Sequence, residues 1–135
     1  MNDSTTPASL PGWLWIPRLV AAGILGQTLF FKFTAAPESV YIFEKVGAGA
    51  AGRIGSGVIE LVAVVLLLVR PGLGGMLGAG VMVGAIGSHL GPLGIVIDDA
   101  ERGIASDGGL LFGLAVVAFL CSAVTWWVDR KRCTL

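Results

Sequence analysis

Lys32, Arg53, Glu60 and His89 stand in stretches of sequence that are otherwise apolar. An ammonium and a guanidinium can stabilise developing negative charge, and a carboxylate and an imidazole can exchange protons, so together they suit a bound ring carbonyl or hydroxyl. That is the chemistry of a quinone pocket. A polar lipid headgroup would satisfy the same groups, so the ligand stays open between the two. Glu60 lies roughly 10 Å beyond Arg53 along a helix, with Ser56 between them on the same face. A carboxylate at membrane depth is costly unless paired. The plainer reading is that Glu60 pairs with Lys32 or Arg53 only to neutralise charge and fix helix register, while His89 donates to a neighbouring backbone group.

The elements that must hold these residues are membrane helices. The 135 residues are 55% hydrophobic and 13% charged, with a mean hydropathy of +0.85, far from an ordinary soluble domain. Nine basic and nine acidic side chains cancel, which leaves no basic patch for a phosphate backbone and argues against a nucleic-acid partner. The opening "MNDSTTPASLPG" has no lysine or arginine before the first apolar run and no small-residue cleavage site after it, so that run is expected to be a permanent helix. Cys121 and Cys133 are roughly 18 Å apart on one helix, too far to bridge, and match no metal or redox motif.

Four spans are expected: Trp13 to Ala36, Arg53 to Val69, a third from the turn "RPGLGG" to about Ile97, and Gly108 to Val128. Trp13 and Trp15 suit a headgroup-level start, and "WWVDRKR" ends the fourth span with aromatics and then charge. The organisation is an all-α, four-transmembrane-helix bundle with a short interfacial helix between the first and second spans. Residues 1–12 are expected to form a disordered tail, 13–128 a single membrane domain and 129–135 a basic cytoplasmic tail. Arg18, Arg70 and Arg130 to Arg132 fall on one side, which predicts both termini in the cytoplasm.

In the first loop, Pro37 followed by Glu38 predicts a helix start, because proline costs nothing at the first helical position and an acid suits the positive helix end. Gly47 and the flexible "GAGAAG" run should close it. Gly74, Gly78, Gly80, Gly84, Gly87 and Gly91 give the third span small residues at a spacing that lets helix backbones approach closely. Pro92 should bend or end that helix.

Residues 19–31, between Arg18 and Lys32, amount to roughly 20 Å of helix, less than a hydrocarbon core of roughly 30 Å. At least one of those cations must snorkel inward or be buried. Antiparallel order then gathers Lys32, Arg53, Glu60, His89 and Asp107 in one leaflet. A shared polar pocket near the outer leaflet is the expectation, with the Tyr41 segment as its lid.

The blocks "QTLFFKFTAAPESVYIFEKVG", "GRIGSGVIEL", "GAIGSHLGPLGI" and "DGGLLFGLAVVAFLCS" resemble, in that order and over about Arg18 to Ser122, the DoxX-like family of small four-helix bacterial membrane proteins. The polar positions that carry the resemblance are Gln27, Lys32, Pro37, Glu38, Tyr41, Arg53, Glu60, His89 and Asp107. The chain departs from it at "AGAAG", where relatives often show an acid, a proline and an aromatic. The family is named from its association with quinol oxidase and thiosulfate:quinone oxidoreductase subunits, so the resemblance implies a bacterial inner-membrane protein associated with a redox system.

Two functions follow. One is an accessory or quinone-binding subunit that relies on a redox partner protein and uses Gln27, Lys32, Tyr41, Arg53, Ser56, Glu60, His89 and Asp107 as its ligand-binding residues. The other is a non-enzymatic membrane protein that binds lipid or assists assembly of a larger complex through its glycine-rich third helix. One histidine and two separated cysteines supply neither a bis-His haem nor an iron–sulfur cluster, so no cofactor is expected on protein ligands alone. A homo-oligomer fits either function. A transporter is disfavoured, since the spans show no inverted pair of broken helices.

Overall fold

The computed structural model describes residues 9–133. A turn of tight helix, Gly12–Leu14, leads into α1 (Trp15–Phe33); α2 (Pro37–Lys45), α3 (Gly49–Val69), α4 (Pro71–Ser88) and α5 (Leu110–Cys133) follow, with one wide helical turn, His89–Leu93, closing α4. The chain is all-α. Among the described residues the only β pairing is an isolated bridge between Asp99 and Ile104.

Four helical segments, Gly12–Phe33, Gly49–Val69, Pro71–Leu93 and Leu110–Cys133, are long and apolar enough to cross a membrane. Their outward faces carry Ile16, Phe30, Val65, Val83 and Leu120 exposed, as a lipid-facing surface requires. The shared core interleaves alanines, Ala21, Ala63, Ala115 and Ala118, with the larger Leu25, Leu67 and Met82. Helix α1 packs chiefly on α3, and α4 chiefly on α5.

Glycine sets the close seams. A methyl group on Gly74 would lie 2.2 Å from the Leu67 backbone nitrogen, and one on Gly75 2.6 Å from the Ser122 carbonyl. Gly80, Gly84, Gly87 and Gly91 face open space instead, so only part of the expected glycine stripe packs within the bundle.

Several boundaries differ from the sequence expectation. The "GAGAAG" run is not a flexible linker: α3 already begins at Gly49. Glycine is tolerated in a first turn whose N–H groups lack internal partners, and alanine is the best helix former. The third span leaves regular helix after Ser88, where Gly91 adopts a non-helical conformation beside Pro92. Helix α5 runs on past Val128 to Cys133, because Arg130, Lys131 and Arg132 suit the negative end of a helix. Of the expected N-terminal tail, residues 1–8 lie outside the described residues, and Gly12 is already helical. The last two residues of the basic tail also lie outside.

Candidate functional site

The inner face of α1 presents Thr28 and Lys32 one turn apart to Glu60 of α3. Lys32 Nζ pairs with Glu60 Oε1, and Thr28 Oγ1 donates to Glu60 Oε2 at 2.7 Å. The Thr28 hydroxyl also lies 2.8 Å from the Leu25 carbonyl; with one proton to give, it favours the charged acceptor. Both carboxylate oxygens are therefore engaged, and the Glu60 side chain is only 3% exposed against 12% for Lys32. Gly57 permits this approach, since a methyl group there would lie 3.2 Å from the Phe33 ring and 3.7 Å from Lys32 Cβ.

Arg53 does not pair with Glu60. Its Nη1 donates to the Lys32 carbonyl, an oxygen in the last turn of α1 that has no helical partner. At the other mouth Arg18, 4% exposed, does the same for α3: Nε donates to the Leu67 carbonyl at 2.8 Å and Nη2 to that of Leu68 at 2.7 Å. Its guanidinium also lies 3.7 Å from the centre of the Trp15 ring. Each of the two packed helices thus caps the C-terminus of the other with an arginine.

Helix α2 covers this mouth. Its Phe43 ring centre is 5.5 Å from Lys32 Nζ. The segment leaves α1 through Ala35 at φ 53° and reaches α3 through Gly47 at φ 78°, a left-handed turn suited to glycine. Tyr41 is buried among Leu93, Ile97 and Ile104 and accepts a hydrogen bond from Lys45 at 2.8 Å. Arg102 reaches back to Glu44 at 2.7 Å, and that hydrogen bond raises the pKa of Arg102 above its ordinary value. A surface hollow of about 320 Å³ lies among Tyr41, Glu44, Lys45, Asp99 and Arg102. A second, of about 490 Å³, lies in the loop from Asp98 to Ser106.

His89 and Asp107 organise the remaining connection. His89 is buried, edge-on to the Phe112 ring at 5.8 Å, and its Nδ1 lies 2.9 Å from the Gly94 carbonyl, so that nitrogen carries the proton. Asp107 Oδ1 accepts from the backbone amides of Ile97 at 2.8 Å and Gly109 at 2.9 Å, and Oδ2 from that of Leu111 at 3.0 Å. Partial burial pushes the Asp107 carboxyl up. The three amides, of Gly109, Ile97 and Leu111, together with His89, outweigh it and hold the group below its ordinary value.

The expected single pocket therefore resolves into three groups at one mouth. Lys32, Glu60 and Arg53 form one, and Tyr41 belongs to the α2–loop contact. His89 and Asp107 fasten the α4–α5 connection. Ser56 bonds the Arg53 carbonyl within its own helix at 3.2 Å, and Gln27 lies on the exposed side of α1. Among the described residues, no three His, Cys, Asp or Glu side chains converge to hold a metal. Thr28 and Arg18 escaped the sequence reading as polar partners, although Thr28 stands one turn from Lys32 and shares its face. No family model, curated protein or solved structure matches the chain.

Proposed function

We propose that the chain is an accessory, quinone-binding subunit of a membrane redox system, as its DoxX-like resemblance implies, set in a bacterial inner membrane with both termini cytoplasmic. The observation that carries this reading is the Lys32–Glu60 pair, buried between α1 and α3 beneath α2. Intramembrane ionisable residues mark ligand or proton sites by default.

A quinone supplies chemistry that takes up two electrons and two protons. Lys32 would donate a hydrogen bond to a headgroup oxygen, Thr28 would hold Glu60 in place, and the Glu60 carboxylate, released from Lys32, would relay at Oε1 two protons in turn, each taken up from water at the mouth. Electrons would come from a partner protein. The donor set fits a quinone oxygen, but a headgroup has to displace Lys32 or Thr28 of α1 from Glu60, because both carboxylate oxygens already have partners.

That full satisfaction favours a second reading, in which the pair is a structural lock in a protein that binds lipid or assists assembly. Mass spectrometry of small molecules extracted with the chain in mild detergent from native membranes separates the two. The first reading expects co-purified quinone that Lys32→Met and Glu60→Gln reduce at least tenfold and Thr125→Ala does not. A quinone-free wild-type protein that also fails to take up added ubiquinone or menaquinone overturns it.

A further inference from the structure

All four tryptophans of the chain, Trp13, Trp15, Trp126 and Trp127, lie at the mouth opposite α2. Arg18 of α1 meets the end of α3 there, and Gly72 of α4 lies against Asp129 of α5. Side-chain charge divides in the same way. Among the described residues this mouth holds five cations and one acid, a net +4, whereas the α2 mouth holds four cations and seven acids, a net −3.

The two α5 tryptophans fix where part of that charge sits. Lys131 Nζ lies 3.7 Å from the centre of the Trp127 ring, and Arg130 Cζ lies 5.3 Å from that of Trp126. Both are pairs one helical turn apart, held by attraction between a cation and a ring face. An indole settles at headgroup level, so a cation drawn onto its face is held at that depth too, instead of reaching further into water. Trp127 is 53% exposed, and Arg70 is exposed just ahead of α4. Asp129 already lies against the N-terminal turn of α4 at Gly72, so a further anion would be met by the side chains around it.

We propose that this mouth is a binding surface for anionic phospholipids, with Lys131 on α5 and Arg70 ahead of α4 each meeting a phosphodiester and Trp126 and Trp127 bordering the acyl chains. A soluble anion would satisfy the cations alone. A phospholipid also covers the exposed indoles. The proposal is independent of the quinone reading, which concerns the other mouth.

The test uses the whole chain in phosphatidylcholine nanodiscs, with tryptophan fluorescence quenched by trace headgroup-labelled phosphatidylglycerol or by equally labelled phosphatidylcholine. Phosphatidylglycerol should be enriched at least tenfold at the tryptophans. Arg70→Gln and Lys131→Gln should each lower that enrichment about fivefold, the worth of one surface cation facing anionic lipid. Lys45→Gln at the other mouth should leave it unchanged, and native mass spectrometry should report the same order of retained lipid. Equal quenching by the two labels overturns the proposal, as does a Lys45→Gln loss equal to that of Lys131→Gln. Full competition by millimolar inorganic phosphate at constant ionic strength would also overturn it, by assigning the surface to free anions.

Discussion

Removing one member of the Lys32–Glu60 pair should cost very different amounts depending on which member is removed. Glu60 lies roughly 16 Å along α3 from its start at Gly49, and its side chain is 3% exposed. Lys32 is the penultimate residue of α1, and its long stem can carry the ammonium out to the interface. Lys32→Met therefore strands a carboxylate that has no short route to water, and breaking a buried pair in this way costs about 3–5 kcal/mol. Glu60→Gln leaves a cation that can leave, and keeps an acceptor for Thr28, so the expected loss is about 1–2 kcal/mol, near that of one charged hydrogen bond. The double variant Lys32→Met/Glu60→Leu should fall within about 2 kcal/mol of the wild type, because replacing a whole buried pair by apolar groups is often neutral. Reversible unfolding in mixed micelles, followed by far-ultraviolet circular dichroism, measures all four proteins. A Glu60→Gln cost equal to that of Lys32→Met, or a double-variant cost equal to the sum of the single ones, would contradict a pair in which only the carboxylate is trapped.

Two further outcomes follow. Gly74→Ala places a methyl group 2.2 Å from the Leu67 backbone nitrogen and should lose at least about 2 kcal/mol in the same unfolding assay, as overpacking does; Gly84→Ala, which meets open space, should stay within about 1 kcal/mol of the wild type. The Asp107 carboxyl is held below its ordinary value in the fold, so its contribution is present above that ordinary value and is lost as pH falls through the lowered one. Thermal melts between pH 7 and pH 2 should show a smaller acid-side decline in Asp107→Asn, and an unchanged decline would refute this.

Much of this was legible in residue order. Apolar length and the sparse charges announced four spans, and Pro37 with Gly47 bounded α2 almost to the residue, because proline and glycine act through local backbone geometry. Antiparallel order was enough to bring Lys32, Arg53 and Glu60 together. It could not rank the two cations, since which one meets the acid depends on rotation about the helix axis and on the close approach at Gly57. The short apolar stretch 19–31 required Arg18 or Lys32 to snorkel or be buried without choosing between them, and the carbonyl partners of Arg18 lie on α3, nearly fifty positions away, where no local pattern names them. Gln27 and Ser56 looked like pocket residues by type alone. Their side chains are governed by helix phase and by a local bond within the helix.

The reciprocal arginines have a mechanical consequence. Arg18 of α1 grips the last carbonyls of α3, and Arg53 of α3 grips a last-turn carbonyl of α1. A slide of one helix past the other by a single turn, about 5.4 Å, would draw both guanidiniums off their oxygens together, whichever way it went. The Lys32–Glu60 bond would be lost in the same movement. Helices α4 and α5 meet instead through Gly75 and Gly78 against Ser122 and Trp126, a seam kept by shape. The α1–α3 pair is thus held in register by three charged contacts, whereas α4 and α5 are held by close backbone approach along their seam and by His89 against Phe112 at one end.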